Sequence, residues 1–453
     1  MNWPVTNSFS GEWRERFHAW RRRTRPIRRR LAIFLAVIGP GIITSNVDND
    51  AGGITTYSVA GAQLGYALLF WLIPMTIALY VSEEMCARMG VATGKGLSDL
   101  IREEFGFRST FFVMLAALFV DLGNTVAEFA GIAASMQIFG VTKYISVPVA
   151  AVTVWFLVLR GTYRQVEKIF LVACVFYISY IFSAFLARPD WLLAARSTAI
   201  PSIHWTQDYF ILLIALVGTT IAPWQFFYLQ AGFVEKRVGP RQYKHARWDV
   251  LVGSITCMAI VGFIIVCTAA TLNKSGMTHI SDAAQAAQAL RPLAGKYASY
   301  LFAFGLFNAS LFAASVLPLS TAHVICEGLG FEAGIDRKFG EAQIFYGLYT
   351  ALIVVGGGII LWPRAPLFKI LLFSQVANGV WLPVVLVFIM LLINRRDLMG
   401  SMVNTRVFNV VAWTVSVFMI VLTVAFLYIS VANPSAAGVV GNWLPHLPKW
   451  PLY

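Results

Sequence analysis

The chain has 453 residues, of which 58% are hydrophobic and only 13% are charged. A soluble domain carries roughly 25% charged residues, so this composition excludes a soluble globular protein and a disordered one. The balance of charge is basic, with 35 Lys and Arg residues against 22 Asp and Glu and a net charge of +13. The five cysteines fall in or beside apolar runs without metal-ligand spacing, which indicates packing rather than a metal site or a disulfide framework.

Eleven apolar runs are long enough to form transmembrane helices, which need about 20 residues each. We expect no cleavable signal peptide before the first run, because residues 1–30 contain no apolar stretch. The sequence therefore predicts an all-α integral membrane protein with 11 transmembrane helices, numbered here as spans 1 to 11. They cover residues 31–57, 62–82, 110–139, 143–160, 167–187, 208–233, 249–272, 297–325, 342–362, 367–394 and 406–430.

The positions of the basic residues predict the orientation of these spans. If the N-terminus is cytoplasmic, 26 of the 35 Lys and Arg residues fall in cytoplasmic segments, and the C-terminus lies outside the cell. The basic arm of residues 1–30 then contacts anionic lipid beside span 1, which is favoured over nucleic-acid binding. We expect a multi-pass protein of the plasma (cell inner) membrane, with residues 432–453 as an extracellular tail.

The middle of span 1 is unusually polar. It holds Asp48 and Asp50, followed by the glycine pair Gly52-Gly53. A carboxylate at this depth is costly, so a functional partner is expected. We expect the glycine pair to let the helix unwind and expose backbone carbonyls. Alternatively, the carboxylates lie near an aqueous end of the helix, which applies more to Asp48 than to Asp50.

Span 6 contains Pro223, which removes the backbone donor that would bond the Thr219 carbonyl one turn earlier. Taken alone, the proline could mark an ordinary kink. However, interruptions in spans 1 and 6 are five spans apart, and matched interruptions are typical of inverted-repeat transporters with a site near the membrane midplane. We therefore predict a 5+5 inverted repeat, with residues 31–190 and 205–395 as the two halves and residues 405–431 as an added span 11.

Several strings carry a family resemblance. Gly39-Pro40-Gly41 with Asp50 further on, and the strings at 87–97, 127–129, 374–383 and 395–400, together resemble the natural-resistance-associated macrophage protein (NRAMP) family of divalent metal transporters. In order, they resemble its first helix, the loop after its second helix, its third helix, its tenth helix and the exit from that helix. The resemblance covers residues 31–430 and implies a LeuT-like fold with broken helices 1 and 6 and the transport of divalent cations.

The chain departs from the family pattern at four positions. Gly53 stands where the family's first-helix motif has Asn, Ala222 where the sixth-helix motif has Met, and Trp224 where that motif has His. Thr125 stands where the third helix has an Asp of the proton route. These departures resemble the NRAMP-related magnesium transporter (NRMT) branch.

The departures predict a change in the ligands of the ion. A thioether favours transition metals, and Ala222 removes it, while the missing side chain at Gly53 widens the site. Because Mg²⁺ keeps several of its waters, we expect a wide, all-oxygen site for partly hydrated Mg²⁺ or Mn²⁺. Gln225 could instead pack at a helix interface, and Asn378 could make a polar contact between helices. The expected metal ligands are Asp50, Gly53, Thr219, Ala222, Gln225, Gln375 and Asn378.

Proton coupling needs titratable groups along a path. Of the six histidines only His323 lies near a span, so no histidine relay passes the site. Asp121 and Glu128 on span 3 are interpreted as structural or cavity-lining groups, with a proton role as the alternative. We expect passive transport, with divalent metal ions and the lipid bilayer as partners, no cofactor and no obligate protein partner.

Three other functions are alternatives to this prediction. A proton-coupled Mn²⁺/Fe²⁺ importer of the ordinary NRAMP type is the main alternative. An organic-solute carrier on the same fold ranks lower, because Asp50 would repel a substrate carboxylate. We do not expect an enzyme, since the sequence has no nucleophile–base pair, phosphate-binding loop or zinc spacing.

Overall fold

The computed structural model describes residues 37–278, 280, 286, 287, 290, 294–363 and 367–432, and the regular structure within them is helical. The basic arm and the tail predicted at the two ends fall outside this part of the chain, apart from Ala432. The α-helices, numbered α1 to α16 in chain order, are Pro40–Val47, Ala51–Leu64, Leu72–Thr93, Leu97–Ile138, Lys143–Arg160, Tyr163–Phe176, Ile178–Leu186, Trp191–Ala199, Gln207–Thr220, Pro223–Glu235, Tyr243–Thr268, Lys296–Leu329, Gln343–Leu361, Leu367–Ile393, Arg396–Met399 and Arg406–Ala432.

These helices account for the predicted spans. Within the described residues, nine helical segments are long and apolar enough to cross a membrane, and the bent pair Ala377–Ile393 and Arg396–Met402 gives a tenth. Span 1 consists of α1 and α2, which are too short to qualify separately. The predicted all-α fold with broken helices 1 and 6 is therefore confirmed. The division into residues 31–190 and 205–395 stays a prediction.

The string at 87–97 was expected to be a loop, but most of it is helical. Helix α3 continues to Thr93 and ends at Gly94, whose left-handed backbone (φ +67°) closes the helix. Helix α4 begins already at Leu97 and bends at Gly106 (φ +79°). Because both helices extend beyond their apolar spans, hydropathy alone placed the end of α3 too early and the start of α4 too late.

Burial separates the central helices from the peripheral ones. Span 6 is the most enclosed of the spans compared, because 72% of its most apolar 18-residue stretch is buried inside the bundle. In span 11 only 22% of the corresponding stretch is buried. Large apolar side chains such as Phe112 and Val407 point outward from the bundle. In water such a surface would be costly, but it suits a lipid environment.

The start of α1 is fixed by polar contacts from two other helices. The backbone N–H groups of Gly39 and Gly41 donate to the Asp249 carboxylate of α11 at 3.0 and 2.7 Å. A carboxylate at this position caps the helix and complements its positive end. Lys236, just after α10, donates to the Ile38 carbonyl at 2.6 Å. These contacts hold the first half of span 1 beside α11 and the C-terminal end of α10.

Candidate functional site

The break in span 1 lies at residues 48–50. Helix α1 ends at Val47, and Asp50 adopts an extended conformation (φ −77°, ψ −179°) as the residue that caps α2. Its carboxylate accepts a hydrogen bond of 2.6 Å from the Gly53 N–H. Aspartate is a strong N-cap, and its carboxylate complements the positive end of the helix dipole. The break therefore holds a buried carboxylate at the start of a helix.

The glycine pair was expected to unwind, and this part of the prediction is wrong. Gly52 and Gly53 lie in the first turn of α2, because the Asp50 cap satisfies the backbone there. The Gly53 carbonyl points along the helix axis, as in any α-helix. Its missing side chain matters more, since a Cβ atom there would lie 2.9 Å from the Asp48 carbonyl oxygen. Gly53 thus keeps open the space beside the break.

The break in span 6 lies at Ile221 and Ala222. Both residues are buried and non-helical (φ −126°, ψ 82° and φ −93°, ψ 139°), and α10 begins at Pro223. This confirms the predicted interruption, and the helical donor for the Thr219 carbonyl is absent because residue 223 is proline. The Ala222 carbonyl accepts a bond of 3.3 Å from the Gln225 N–H in the first turn of α10.

Tyr57 connects the two breaks. It is fully buried on α2, where Asp50, Gly53 and Tyr57 share one face at a spacing of three and four residues. Its hydroxyl lies 3.1 Å from the Cβ position of Gly53 and near the side chain of Thr220, the last residue of α9. Tyr57 is not among the site residues predicted from the sequence, although its helical spacing from Asp50 could have indicated it.

Seven buried polar atoms without a hydrogen-bond partner in the protein lie at or near the two breaks. Such atoms are rare in folded proteins, so each needs a reason. Here they lie in the break of span 1, in the turns that follow the two breaks, and on the neighbouring α4. They are Asp48 Oδ2, Asn49 Oδ1, Tyr57 Oη, Trp224 Nε1, Gln225 Oε1, Gln225 Nε2 and Glu128 Oε1. The region is therefore polar, buried and incompletely satisfied by protein groups alone.

The buried carboxylates around the breaks are held by different partners. Glu128 of α4 accepts a hydrogen bond of 3.2 Å from the Ala51 N–H, at the same helix start as Asp50. Glu83 of α3 accepts from the Ser45 hydroxyl at 2.6 Å. In the described residues, no three His, Cys, Asp or Glu side chains converge as a metal-binding group would. An ion at the breaks would therefore depend largely on carbonyl, amide and water oxygens.

The amide residues predicted as ligands have different positions. Gln225 is fully buried, and neither of its amide atoms has a partner in the protein. Asn378 of α14 instead forms a reciprocal pair with Asn124 of α4, with hydrogen bonds of 2.9 and 3.2 Å. This is the helix–helix contact given above as its alternative role. Gln375 lies on α14, but its side chain is outside the described part of the structure.

Asp121 belongs to the same polar layer as this amide pair. The Thr321 hydroxyl of α12 donates to its carboxylate at 2.8 Å, and the Asn124 amide lies 3.4 Å away. Thr125, where the family has an acidic residue, donates to the Asp121 carbonyl at 2.7 Å. These contacts tie α4 to α12 and α14, which agrees with the structural role expected for Asp121.

Two matched helix breaks inside a bundle of apolar helices are characteristic of transporters with a LeuT-like fold. The chain matches the family model described as natural resistance-associated macrophage protein-like (Nramp) over residues 41–429, and it belongs to this family. It is 28% identical over 400 residues to a divalent metal cation transporter, MntH, of Deinococcus radiodurans, which covers 86% of this chain and 88% of that protein.

Solved structures show the same fold. The chain is similar to a manganese transporter of Eremococcus coleocola crystallised with an aromatic bis-isothiourea compound, with a TM-score of 0.70 and 18% identity over 97% of this chain and 96% of that one. It also resembles MHP1, a nucleobase-cation-symport-1 family transporter, with a TM-score of 0.53 and 14% identity over 90% and 96% of the two chains. The chain is thus a multi-pass membrane protein with a LeuT-like fold.

Proposed function

We propose that this protein carries Mg²⁺ and Mn²⁺ across the membrane by alternating access, without coupling to protons. The observation that carries the proposal is the pair of breaks: one presents a buried carboxylate, Asp50, and the other presents non-helical backbone at Ile221 and Ala222. The relatives that carry divalent metals by name support the broader substrate class. The choice of Mg²⁺ rests on the chemistry of the two breaks.

The proposed ligand set contains oxygen atoms only. It consists of the Asp50 carboxylate, the Thr219 and Ala222 carbonyls and the amide oxygens of Gln225 and Gln375. Carbonyls at the end of α9 carry the negative end of that helix dipole, which favours a cation. Gly53 contributes space rather than a ligand atom. Asn378, already paired with Asn124, orients the neighbouring helices.

The selectivity follows from what is missing at residue 222. Methionine sulfur would favour softer metals, whereas oxygen ligands suit Mg²⁺ and Mn²⁺. Mg²⁺ also loses its waters reluctantly and binds through one or two carboxylates. Small residues at both breaks, Gly53 and Ala222, leave room for waters that stay on the ion. A wide site with one capping carboxylate therefore fits a partly hydrated Mg²⁺.

The membrane potential supplies enough energy for uptake. A divalent cation moving inward gains about 4.6 kcal/mol per 100 mV, at roughly 2.3 kcal/mol per charge. We propose that the N-terminus faces the cytoplasm, as the distribution of basic residues predicts, and that uptake is directed into the cell. The loop between α3 and α4 and the C-terminal end of α10 then also face the cytoplasm.

A proton-coupled Mn²⁺/Fe²⁺ importer is the second candidate, favoured by one observation. Glu128 lies next to Asp50 through the Ala51 N–H, and its second carboxyl oxygen has no partner in the protein. A carboxyl group in this position could carry a proton. Against this role, Thr125 and Trp224 offer no titratable group to continue a path.

Flux measurements separate the two candidates. The protein is reconstituted into liposomes that contain either a Mg²⁺ indicator or a pH indicator. A membrane potential that is negative inside the liposomes is then imposed. Our proposal predicts potential-driven Mg²⁺ and Mn²⁺ uptake with no change in internal pH beyond that of empty liposomes. Absence of Mg²⁺ uptake would refute the magnesium assignment, and internal acidification during Mn²⁺ uptake would establish the coupled alternative.

A further inference from the structure

A second acidic region lies away from the helix breaks, where α4 begins and where α10 and α12 end. It is a cavity of about 290 Å³, and its charged lining consists of Asp99, Arg102, Glu235, His323, Glu327 and Glu332. We propose that this cavity is a second binding site for a hydrated divalent cation on the cytoplasmic side. The side assigned to it rests on the orientation given under the proposed function.

The charges that line the cavity do not cancel. Asp99 is paired with Arg102 at 3.1 Å, and Arg102 also donates to the Glu327 carbonyl at 2.8 Å. Glu332 is paired with Arg337 at 2.8 Å. Glu235 and Glu327 therefore remain as two carboxylates without Lys or Arg partners among the residues lining the cavity. Mg²⁺ usually binds through one or two carboxylates, which is the number that these residues provide.

His323 lies between these two carboxylates, and even in its protonated form it offsets the charge of only one of them. Its Nε2 is 3.5 Å from Glu235 Oε1, and its Nδ1 is 3.5 Å from Glu327 Oε1. Both distances exceed the usual N–H···O length of 2.7–3.2 Å. The His323 side chain is only 5% exposed, and its Nδ1 atom makes no hydrogen bond. Glu327 Oε2 is likewise buried without a partner.

Backbone contacts position this cluster. The Ile335 N–H donates to Glu235 Oε1 at 2.9 Å, which draws the loop after α12 against the last residue of α10. Gly96 leaves space for Glu327, because a Cβ atom there would fall 1.9 Å from Glu327 Oε2. The carboxylates are thus held by the fold around a polar cavity rather than spread over a solvated surface.

The size and ligands of the cavity indicate which cation it fits. A water molecule occupies roughly 30 Å³ in the liquid, so the cavity has room for a cation with a full shell of waters. Among the described residues no three acidic, His or Cys side chains converge directly on one point, which disfavours a dehydrated transition metal. Mg²⁺ needs only one or two carboxylates and keeps its waters. A cation held by Glu235 and Glu327 would tie the second half of span 6 to α12.

Binding measurements on the purified full-length chain test this proposal. Mn²⁺ alone serves as the probe, because its free form is counted by electron paramagnetic resonance, and Mg²⁺ is added as competitor. In an Asp50→Asn background, which disables the transport site, we expect one Mn²⁺ per chain that Mg²⁺ displaces. Adding Glu327→Gln or Glu235→Gln should weaken this binding at least about tenfold, since both remove a charged ligand.

A matched control replaces a glutamate outside the cavity. Glu103 of α4 forms an exposed pair with Lys95 at 2.5 Å, so Glu103→Gln in the Asp50→Asn background should leave Mn²⁺ binding unchanged. Mg²⁺ should also raise the melting temperature of the Asp50→Asn variant, because a ligand stabilises the state it binds. Size-exclusion chromatography confirms that each variant is folded.

The outcomes distinguish this site from the proposed function. If Asp50→Asn binds no Mn²⁺, or if binding survives both glutamate substitutions, the cavity site is refuted while the transport proposal stands. If Asp50→Asn still carries Mg²⁺ at the wild-type rate, the transport proposal fails, whatever the cavity binds.

Discussion

Both helix breaks place polar groups inside the apolar bundle, but the two breaks use different groups. The break in span 1 uses polar side chains, and Asp50 both caps α2 and supplies a charge. The break in span 6 uses two apolar residues, Ile221 and Ala222, and the N-terminus of α10 has no side-chain cap. One break therefore supplies a fixed negative charge, and the other supplies backbone dipoles. The comparison implies that substitutions at the first break change whether an ion binds, and substitutions at the second change which ion binds.

The largest effect is expected at Asp50. Asp50→Asn keeps a residue that can cap α2 but removes the charge, so we expect Mg²⁺ and Mn²⁺ flux to fall at least about a hundredfold, since losing a buried charged partner costs several kcal/mol. Asp50→Ala should also abolish transport, with folding retained. Proteoliposome flux and thermal melting measure the two properties separately.

A control for the loss of a cap is available outside the site. Asp190 caps α8 by accepting from the Leu193 N–H at 2.9 Å. Asp190→Ala removes a helix cap of the same type and should leave ion flux unchanged. Near-normal Mg²⁺ flux in Asp50→Asn would show that transport does not need the Asp50 carboxylate.

Ala222→Met tests the second break. The introduced thioether should shift preference toward Mn²⁺ and Cd²⁺ over Mg²⁺ by roughly tenfold. Ala222→Leu adds similar bulk without sulfur, and it should lower Mg²⁺ flux without favouring Cd²⁺. Competition between the ions for uptake measures the preference. An unchanged ratio in Ala222→Met would undo the argument from ligand softness.

Gly53→Ala probes the space between the breaks. The new methyl group would lie 2.9 Å from the Asp48 carbonyl oxygen and 3.1 Å from the Tyr57 hydroxyl. Such crowding costs about 1–3 kcal/mol, so we expect Mg²⁺ uptake to fall about tenfold. Gly358→Ala is the control, because nothing lies within 4 Å of its Cβ position. If both variants transport equally well, the site does not depend on room at Gly53.

The smallest effect on transport is expected at Asn378. Asn378→Leu leaves the Asn124 amide buried without its partner, which should lower the free energy of unfolding by about 1–3 kcal/mol. The KM for Mg²⁺ should stay within about twofold. Replacing both residues by Leu should cost less than the sum of the single changes. A large rise in KM for Asn378→Leu alone would instead assign Asn378 as a ligand.

The sequence predicted the breaks with unequal accuracy. Pro223 marked the second break to the residue, because proline is suited to the first position of a helix and cannot continue the preceding one. The first break was placed at Gly52-Gly53, but it lies at residues 48–50. The N-cap formed by Asp50 keeps Gly52 and Gly53 helical despite their flexible backbone. The pattern of apolar residues does not show which of these two effects prevails.

Long-range partners explain the remaining differences. Asn378 pairs with a residue 254 positions away, which spacing along one helix cannot reveal. The cavity beside His323 draws its charged groups from three helices and a loop. Composition and periodicity indicate which faces are buried, whereas the pairing of buried polar groups is set by how distant helices pack.

The position of the bound ion tests the central claim most directly. Crystals of the wild-type protein grown with Mn²⁺, recorded at the manganese absorption edge, would show the ion by its anomalous scattering. The account predicts a peak between the Asp50 carboxylate and the non-helical backbone at Ile221 and Ala222, absent in Asp50→Asn. A peak between the two breaks that persists in Asp50→Asn, or a wild-type protein with no peak at that position, would contradict it.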